Sequence, residues 1–253
     1  GMAEANGKFI AFLDSDDVWP KDFLKIMTEK LEQNKDFGFA YTATTVGNEE
    51  EDNTNRPSCS IERCVSGFIT IELFKNSFIW PMAVLIRRNI LNDFWFDEAL
   101  RNSDDNDAFL RLSVRTKILF VPDIKVTRYS SKDAHSKASS VSGSYNRARS
   151  LERFYFSLGG DKIVPRPIAF QKIGRVYRRA AERYRKGKYR TAAIKLFKQA
   201  IHYQPFDLRL YIGLFKAFLM SRTEDKEPGW SLPQPLGTPL CHLQQKIGNG
   251  EVK

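Results

Sequence analysis

Apolar and polar positions fall into blocks whose periods predict a mixed α/β fold followed by helices. Phe9–Leu13 is a short apolar run that ends on turn formers, the pattern of a buried strand. Pro20 suits the first position of a helix, where its missing N–H costs nothing, and Phe23, Leu24, Met27 and Leu31 then recur at helical spacing. Phe37–Val46 reads as a second strand, and Gly47–Ser60, polar and acidic, as a loop. Ile61–Asn76 is mixed, with helical spacing in its second half. Ile79–Arg87 reads as a strand, Asn89–Phe94 as a short helix or turn, and Lys117–Val121 as a further strand. Between the last two, Asp105–Thr116 reads as a helix with Phe109, Leu110 and Leu112 inward. Tyr129–Asn146, rich in Ser and Lys, reads as a mobile loop. Ile168–Ala217 is almost wholly helical. Arg222–Lys253 has scattered Pro and Gly with little apolar periodicity, which predicts a tail.

The first strand runs into Asp14, Asp16 and Asp17. Clustered carboxylates repel one another unless a cation or a helix N-terminus compensates. One aspartate is enough to cap the helix opened by Pro20. Three in four residues point to a divalent cation, and hard oxygen donors suit Mg²⁺ or Mn²⁺. An EF-hand is excluded, because its sixth loop position would be Trp19 rather than Gly and its twelfth Lys25 rather than Glu. Two enzyme classes remain open on this pattern. An aspartate-nucleophile phosphatase would use Asp14 as nucleophile and Asp16 as acid. A nucleotide-sugar transferase would place the aspartates on metal and ribose.

Composition narrows the setting. The chain has 253 residues, enough for one sizeable domain or one domain with a small appendage. No apolar run approaches the ~18 residues of a membrane span, and no signal peptide opens the chain. Three cysteines are too few for a disulfide framework, and Cys59 and Cys64 lack the second pair a zinc site needs, so a cytoplasmic setting is expected. The formal charge of +10 is unevenly placed: residues 145–200 hold 16 Lys/Arg against three Asp/Glu. The basicity therefore belongs to one segment.

Four blocks in order resemble glycosyltransferase family 2, the inverting enzymes of the GT-A fold. "GKFIAFLDSDDVWPKDFL" resembles the family's aspartate motif with its Trp-Pro and following helix. "WPMAVLIRRNILNDFWFDEAL" resembles the acceptor-side strand and the G-F-D-E turn, with Trp95 where Gly is usual. "SDDNDAFLRLS" resembles E-D-Y-D-L-W-L-R-L, with Asp104 in place of Glu and Asn106 in place of the aromatic residue. "TRYSSKDAHSKASS" resembles Y-R-x-H-x-x-S-x-S, with extra residues between Tyr129 and His135. The resemblance covers residues 1 to about 140. It implies an α/β fold over residues 1–140, the C-terminal part of a GT-A domain; composition and periodicity read the rest as a flexible basic linker over 141–165, a helical module over 166–221 and a tail over 222–253. In this family the aspartate motif follows a base-binding half. The expectation is therefore that the sequence begins mid-domain, Gly1 before Met2 being a tag remnant, and that the chain alone is inactive.

The resemblance also implies roles. Asp17 or Asp16 would coordinate Mn²⁺ or Mg²⁺ on the diphosphate of a nucleotide sugar while the other approaches the ribose, with Asp14 shared or one shell out. Asp105 would be the general base toward a saccharide or lipid-linked acceptor, with Asp104 and Asp107 as fallback assignments. His135 would contact metal or diphosphate, or be a surface histidine. Trp80 and Trp95 would line the acceptor site or, the preferred reading, pack in the core. The product class would be a surface polysaccharide or glycolipid. A non-catalytic fragment that acts as a binding module is the alternative.

Further along, Tyr177, Ala180, Ala181, Tyr184, Ala193, Phe197, Ala200 and Pro205 fall at tetratricopeptide spacing, and "GKYRTAAIKLFKQAIHYQP" resembles such a repeat. One repeat cannot stack alone, so Phe206–Leu219 would supply the next helix. Arg175, Arg178, Arg179, Arg183, Arg185 and Arg190 would lie on the exposed side. They form a solvated face or a peripheral attachment to anionic lipid on the inner face of the cell membrane, at ~1 kcal/mol per basic residue. The segment carries no nucleic-acid recognition motif, which makes nucleic acid the least expected partner.

Overall fold

The computed structural model of the chain describes residues 2–14, 17–48, 51–57, 64–129, 140–221, 232, 233 and 236. They divide into two compact units, one drawn from residues 2–96 and 108–129, the other from 97–107 and 140–236.

The first unit is a mixed sheet with helices. Its strands are β1 (Phe9–Ile10), β2 (Phe37–Asn48), β3 (Glu51–Pro57), β4 (Val84–Arg87) and β5 (Lys117–Tyr129). β2 is central. It runs antiparallel to β4 through Phe39–Ile86, Ala40–Leu85 and Tyr41–Val84, antiparallel to β3 near its C-terminal end, and parallel to β5 along its length. β1 extends the sheet beyond β4, pairing Phe9 with Arg87 and Ile10 with Ile86. Helix α1 (Phe23–Gln33) buries Phe23, Met27 and Leu31 on one stripe. That stripe meets Ala40, Met82, Leu85, Val121 and Val126 in a dry core. Leu24, expected on the same face, is instead exposed, since it lies one position off the stripe. The short α2 (Thr70–Lys75) buries Leu73 and Phe74. Gly38 has no room for a side chain: a Cβ there would meet Ile90 and Thr116 at 2.6 Å, and its N–H donates to the Thr116 hydroxyl at 2.8 Å.

Two sequence expectations are corrected in this unit. The strand at Phe9–Leu13 has only two residues in the ladder, and Leu13 is 49% exposed. The acidic loop at Gly47–Ser60 contains β3, whose sequence EDNTNRP has no apolar residue. Backbone pairing to β2 at the end of the sheet order supplies what side-chain pattern does not announce.

Helix α3 (Asp104–Leu112) has its first turn in the second unit and buries Ala108, Phe109, Leu110 and Leu112 in the first. The second unit continues with α4 (Ser140–Ser157), α5 (Arg166–Lys186), α6 (Arg190–Tyr203) and α7 (Leu208–Phe218). Residues 141–165 are thus not a flexible linker: α4 buries Ala148, Leu151, Phe154 and Tyr155 at helical spacing, and with them Asn146, Arg149, Ser150 and Arg153. Gly159, at φ 78°, supplies the left-handed residue after α4. On α5 and α6, Tyr177, Ala180, Ala181, Tyr184, Ala193, Phe197 and Ala200 are all buried. Arg175, Arg179 and Arg183 are exposed, while Arg178, Arg185 and Arg190 are half-buried. Arg185 pairs with Glu182 at 2.7 Å and Arg190 donates to the Phe218 carbonyl. Of the expected tail, only Leu232, Pro233 and Leu236 are among the described residues.

Candidate functional site

The aspartate loop leaves the sheet after Ile10 and is secured on both sides. Phe12 sets its ring edge-on to Phe96 at 5.5 Å. Val18 forms an antiparallel bridge to Thr127. The Trp19 indole donates to the Met82 carbonyl at 2.7 Å and stacks on Phe23 at 4.6 Å. Phe23 N–H donates to the Pro20 carbonyl at 3.0 Å, so Trp-Pro leads into α1. Between the anchors, Asp17 N–H donates to the Asp14 carbonyl at 3.1 Å, closing a turn. Asp14 is exposed and Asp17 half-buried. The structure thus brings Asp14 and Asp17 onto one turn at the strand end, a pair of hard oxygen donors of the kind Mg²⁺ and Mn²⁺ accept. Asp16 and His135 lie outside the described residues. Among the described residues no three His, Cys, Asp or Glu side chains gather into a metal site.

The second set of carboxylates opens α3. Asp104, Asp105 and Asp107 occupy its first turn, where the helix dipole favours negative charge. Their surroundings differ. Asp107 is buried, with its Oδ1 accepting from Arg153 Nη2 at 3.0 Å and from the Ser150 hydroxyl at 3.1 Å. Arg153 reaches Asp97 with its other terminal nitrogen at 2.6 Å. Burial pulls the Arg153 guanidinium down, and the facing Asp107 and Asp97 more than offset it, so the net shift is upward. Asp107 is therefore held as a structural ion-pair partner. Among the described residues Asp105 makes no ion pair of that kind. Its Oδ1 accepts from the backbone N–H and side-chain amide of Asn106, at 2.7 and 2.8 Å. Burial raises its carboxyl above the usual range, a rise that the Asn106 N–H and Arg147 oppose and Asp104 reinforces. A carboxylate made more basic by desolvation is better suited to take a proton. Arg147 on α4 is pulled down to about 10 by its own burial, against the pull of Asp105 and Asp107. Asp104 lines an open polar cavity of about 560 Å³ with Asp97, Glu98, Arg101 and Asn102.

Sequence reasoning passed over two arginines. Arg111 is fully buried, lies 4.4 Å from the Phe94 ring and donates to the Trp95 carbonyl at 2.9 Å. Arg115 donates to the carbonyls of Ile90 and Asn92 at 3.2 and 3.1 Å. Together they fix the turn before Asp97. The signal available was an arginine, Arg111, set within the apolar run Phe109–Leu112 of α3; Arg115 lies beyond the helix end and carried none. Trp80 is half-buried against the dry core, as its packing reading had it. Trp95 is 63% exposed, so the core reading fails for it: Arg111 binds its backbone and leaves the indole outside.

Residues 1–95 match the family model described as Glycosyl transferase family 2. The matched span holds the aspartate loop, β1 to β4, α1 and α2. It supports glycosyl transfer in general terms, and it ends before the Asp105 turn. No curated protein is matched by the chain. Among the described residues no helix is long and apolar enough to cross a membrane.

Proposed function

We propose that the chain is built for metal-dependent glycosyl transfer from a nucleotide-diphosphate sugar to a saccharide or lipid-linked acceptor, with inversion. The observation that carries this reading is the family-2 match over the aspartate loop, whose carboxylates are borne on a turn anchored at both ends. Asp14, Asp16 and Asp17 would hold Mn²⁺ or Mg²⁺ and the ribose of the donor. The cation supplies neutralisation of the charge that develops on the departing diphosphate. Asp105 takes the proton of the acceptor hydroxyl as its oxygen bonds to the anomeric carbon and the nucleoside diphosphate leaves. The Asn106 donations hold one oxygen of that carboxylate, and burial keeps it basic. Asp104 and the polar cavity beside it would receive part of the acceptor. The α5–α6 pair is in this reading a tetratricopeptide-like unit, and its exposed arginines would favour an anionic membrane surface.

The test is metal-dependent release of nucleoside diphosphate from a panel of nucleotide sugars. Release that disappears in Asp17→Ala, with transfer but not donor binding lost in Asp105→Asn, is the expected result. Loss of donor binding in Asp105→Asn would make that residue a donor contact. Asp14-dependent release of phosphate from an aryl phosphate would overturn the transferase reading in favour of a phosphatase.

A further inference from the structure

Helix α7 is apolar on two faces. Leu210, Gly213 and Ala217 are buried on the inner one. Gly213 has no room for a Cβ against the Phe197 ring of α6, so the helix lies close on α6 and its rotation is fixed. The outer face carries Leu208, Tyr211, Ile212, Phe215, Phe218 and, directly after the helix, Leu219. All six are exposed, Phe215 at 63% and Leu219 at 71%. Their offsets from Leu208 gather them into one stripe about 120° wide. The Tyr211 hydroxyl donates to the Pro205 carbonyl at 2.8 Å, which leaves the ring to the stripe. Single exposed apolar residues are ordinary, but a contiguous stripe of this extent marks an interaction surface.

The charge around the stripe says what it meets. Arg209 and Lys216, both exposed, follow one edge of it, one helical repeat of seven positions apart. At the C-terminal end the Arg190 guanidinium stands 6.0 Å from the Phe218 ring and donates to the Phe218 carbonyl at 3.1 Å. Residues 166–219 hold 14 Lys/Arg against two Asp/Glu. Pairing with a second copy would bring two such segments of like charge together, which self-repulsion opposes. An anionic surface with an apolar layer beneath it suits both features: the headgroups attract the cations, and the acyl boundary takes up the stripe. With 11 residues α7 is too short to span a bilayer, so it would lie in the plane of the interface.

We propose that α7 inserts into an anionic lipid surface, its outer stripe sinking into the headgroup–acyl boundary while Arg209 and Lys216 meet the headgroups. The proposal rests on the reading of the basic helical segment as facing an anionic membrane, and adds to it an apolar component that salt does not screen.

The experiment is co-sedimentation of the full chain with vesicles of phosphatidylcholine and about one-third phosphatidylserine, in low salt and in ~1 M salt, where the Debye length falls to ~3 Å. Wild type is expected to bind in low salt and to keep part of that binding in high salt. Ile212→Glu/Phe215→Glu should bind at least about tenfold more weakly in low salt and not at all in high salt. Ile212→Leu/Phe215→Leu should bind as wild type does. Both positions are exposed, and thermal melts matching wild type establish that the variants are folded. Equal binding by wild type and the glutamate variant overturns insertion by α7. If Arg175→Glu/Arg179→Glu then abolishes binding, attachment through the arginines alone stands in its place. No binding by wild type at either salt overturns insertion and lipid attachment together, while release of nucleoside diphosphate still decides glycosyl transfer. Light scattering on the same samples tests the other occupant. A wild-type mass twice the 29.1 kDa of the chain that returns to one copy in the glutamate variant would overturn lipid in favour of a second copy.

Discussion

Around Phe23 and Met27 the α/β unit is packed by side chains without hydrogen-bonding atoms, whereas around Arg153 the helical unit buries a guanidinium, a carboxylate and a serine hydroxyl. The dry region gains from area removed from water and from close packing, so its tolerance is set by volume. The polar region gains little net energy from its ion pair, because desolvating both charges offsets most of their attraction. What it gains is register: Arg153 can satisfy Asp97 and Asp107 together only when α4 lies in one position along the 97–107 segment. Asn146 and Arg149 add donations to the Arg101 and Ala99 carbonyls at 2.8 and 3.1 Å. The region around Phe23 is specified by shape, the region around Arg153 by matched donors and acceptors.

The comparison predicts how each region fails. Arg153→Ala leaves Asp107 buried without its cation and should cost about 3–5 kcal/mol in urea unfolding. Arg153→Met combined with Asp107→Leu should recover most of that loss, and a single variant costing under ~1 kcal/mol would remove the distinction between the regions. Met27→Ala should cost about 2–5 kcal/mol, and Met27→Leu less than about 1.5, because volume is all that the dry core reads there. The smallest effect is expected at Asp105. Its carboxyl is raised by burial, so the ionised form is penalised on folding. The stability this group contributes is present below its unfolded value and is lost as pH rises through the raised folded value. Asp105→Asn should therefore match wild type in acid and be equally or slightly more stable at neutral pH. The check is thermal melting of both proteins from pH 4 to 8. A variant destabilised at neutral pH would make Asp105 a structural residue.

Much of the α/β unit was legible because its apolar residues carry the period of their elements. Phe23, Met27 and Leu31 announce α1, and Phe37–Val46 announces β2. Legibility failed where backbone or polar groups do the work. EDNTNRP carries no strand pattern, and β3 exists through its pairing with β2. In α4 the Ser and Arg content reads as solvated linker, although Ala148, Leu151, Phe154 and Tyr155 already showed a helical stripe. That Arg153 is buried depends on Asp97 and Asp107, and Arg149 donates to the Ala99 carbonyl, all more than 40 positions away, so no local window contains these partners. At the candidate site, the grouping of Asp14 with Asp17 was readable from spacing alone. The different surroundings of Asp105 and Asp107 were not, since two aspartates two positions apart face nearly opposite sides of α3 and meet groups of α4 some 40 positions away.

The anchors of the aspartate loop lie outside the carboxylates they present. Ile10 on one side, and Val18 with Trp19 on the other, fix the two ends of a short polymer within which the Asp17 N–H donates to the Asp14 carbonyl. For such a closed chain the entropy of closure grows only with the logarithm of length, ~0.6 kcal/mol for each doubling. A change of length between the two anchors therefore carries a small chain-entropy cost of its own. The Trp19 indole has no such latitude: without it, one end of the polymer comes loose and α1 loses the ring stacked on Phe23.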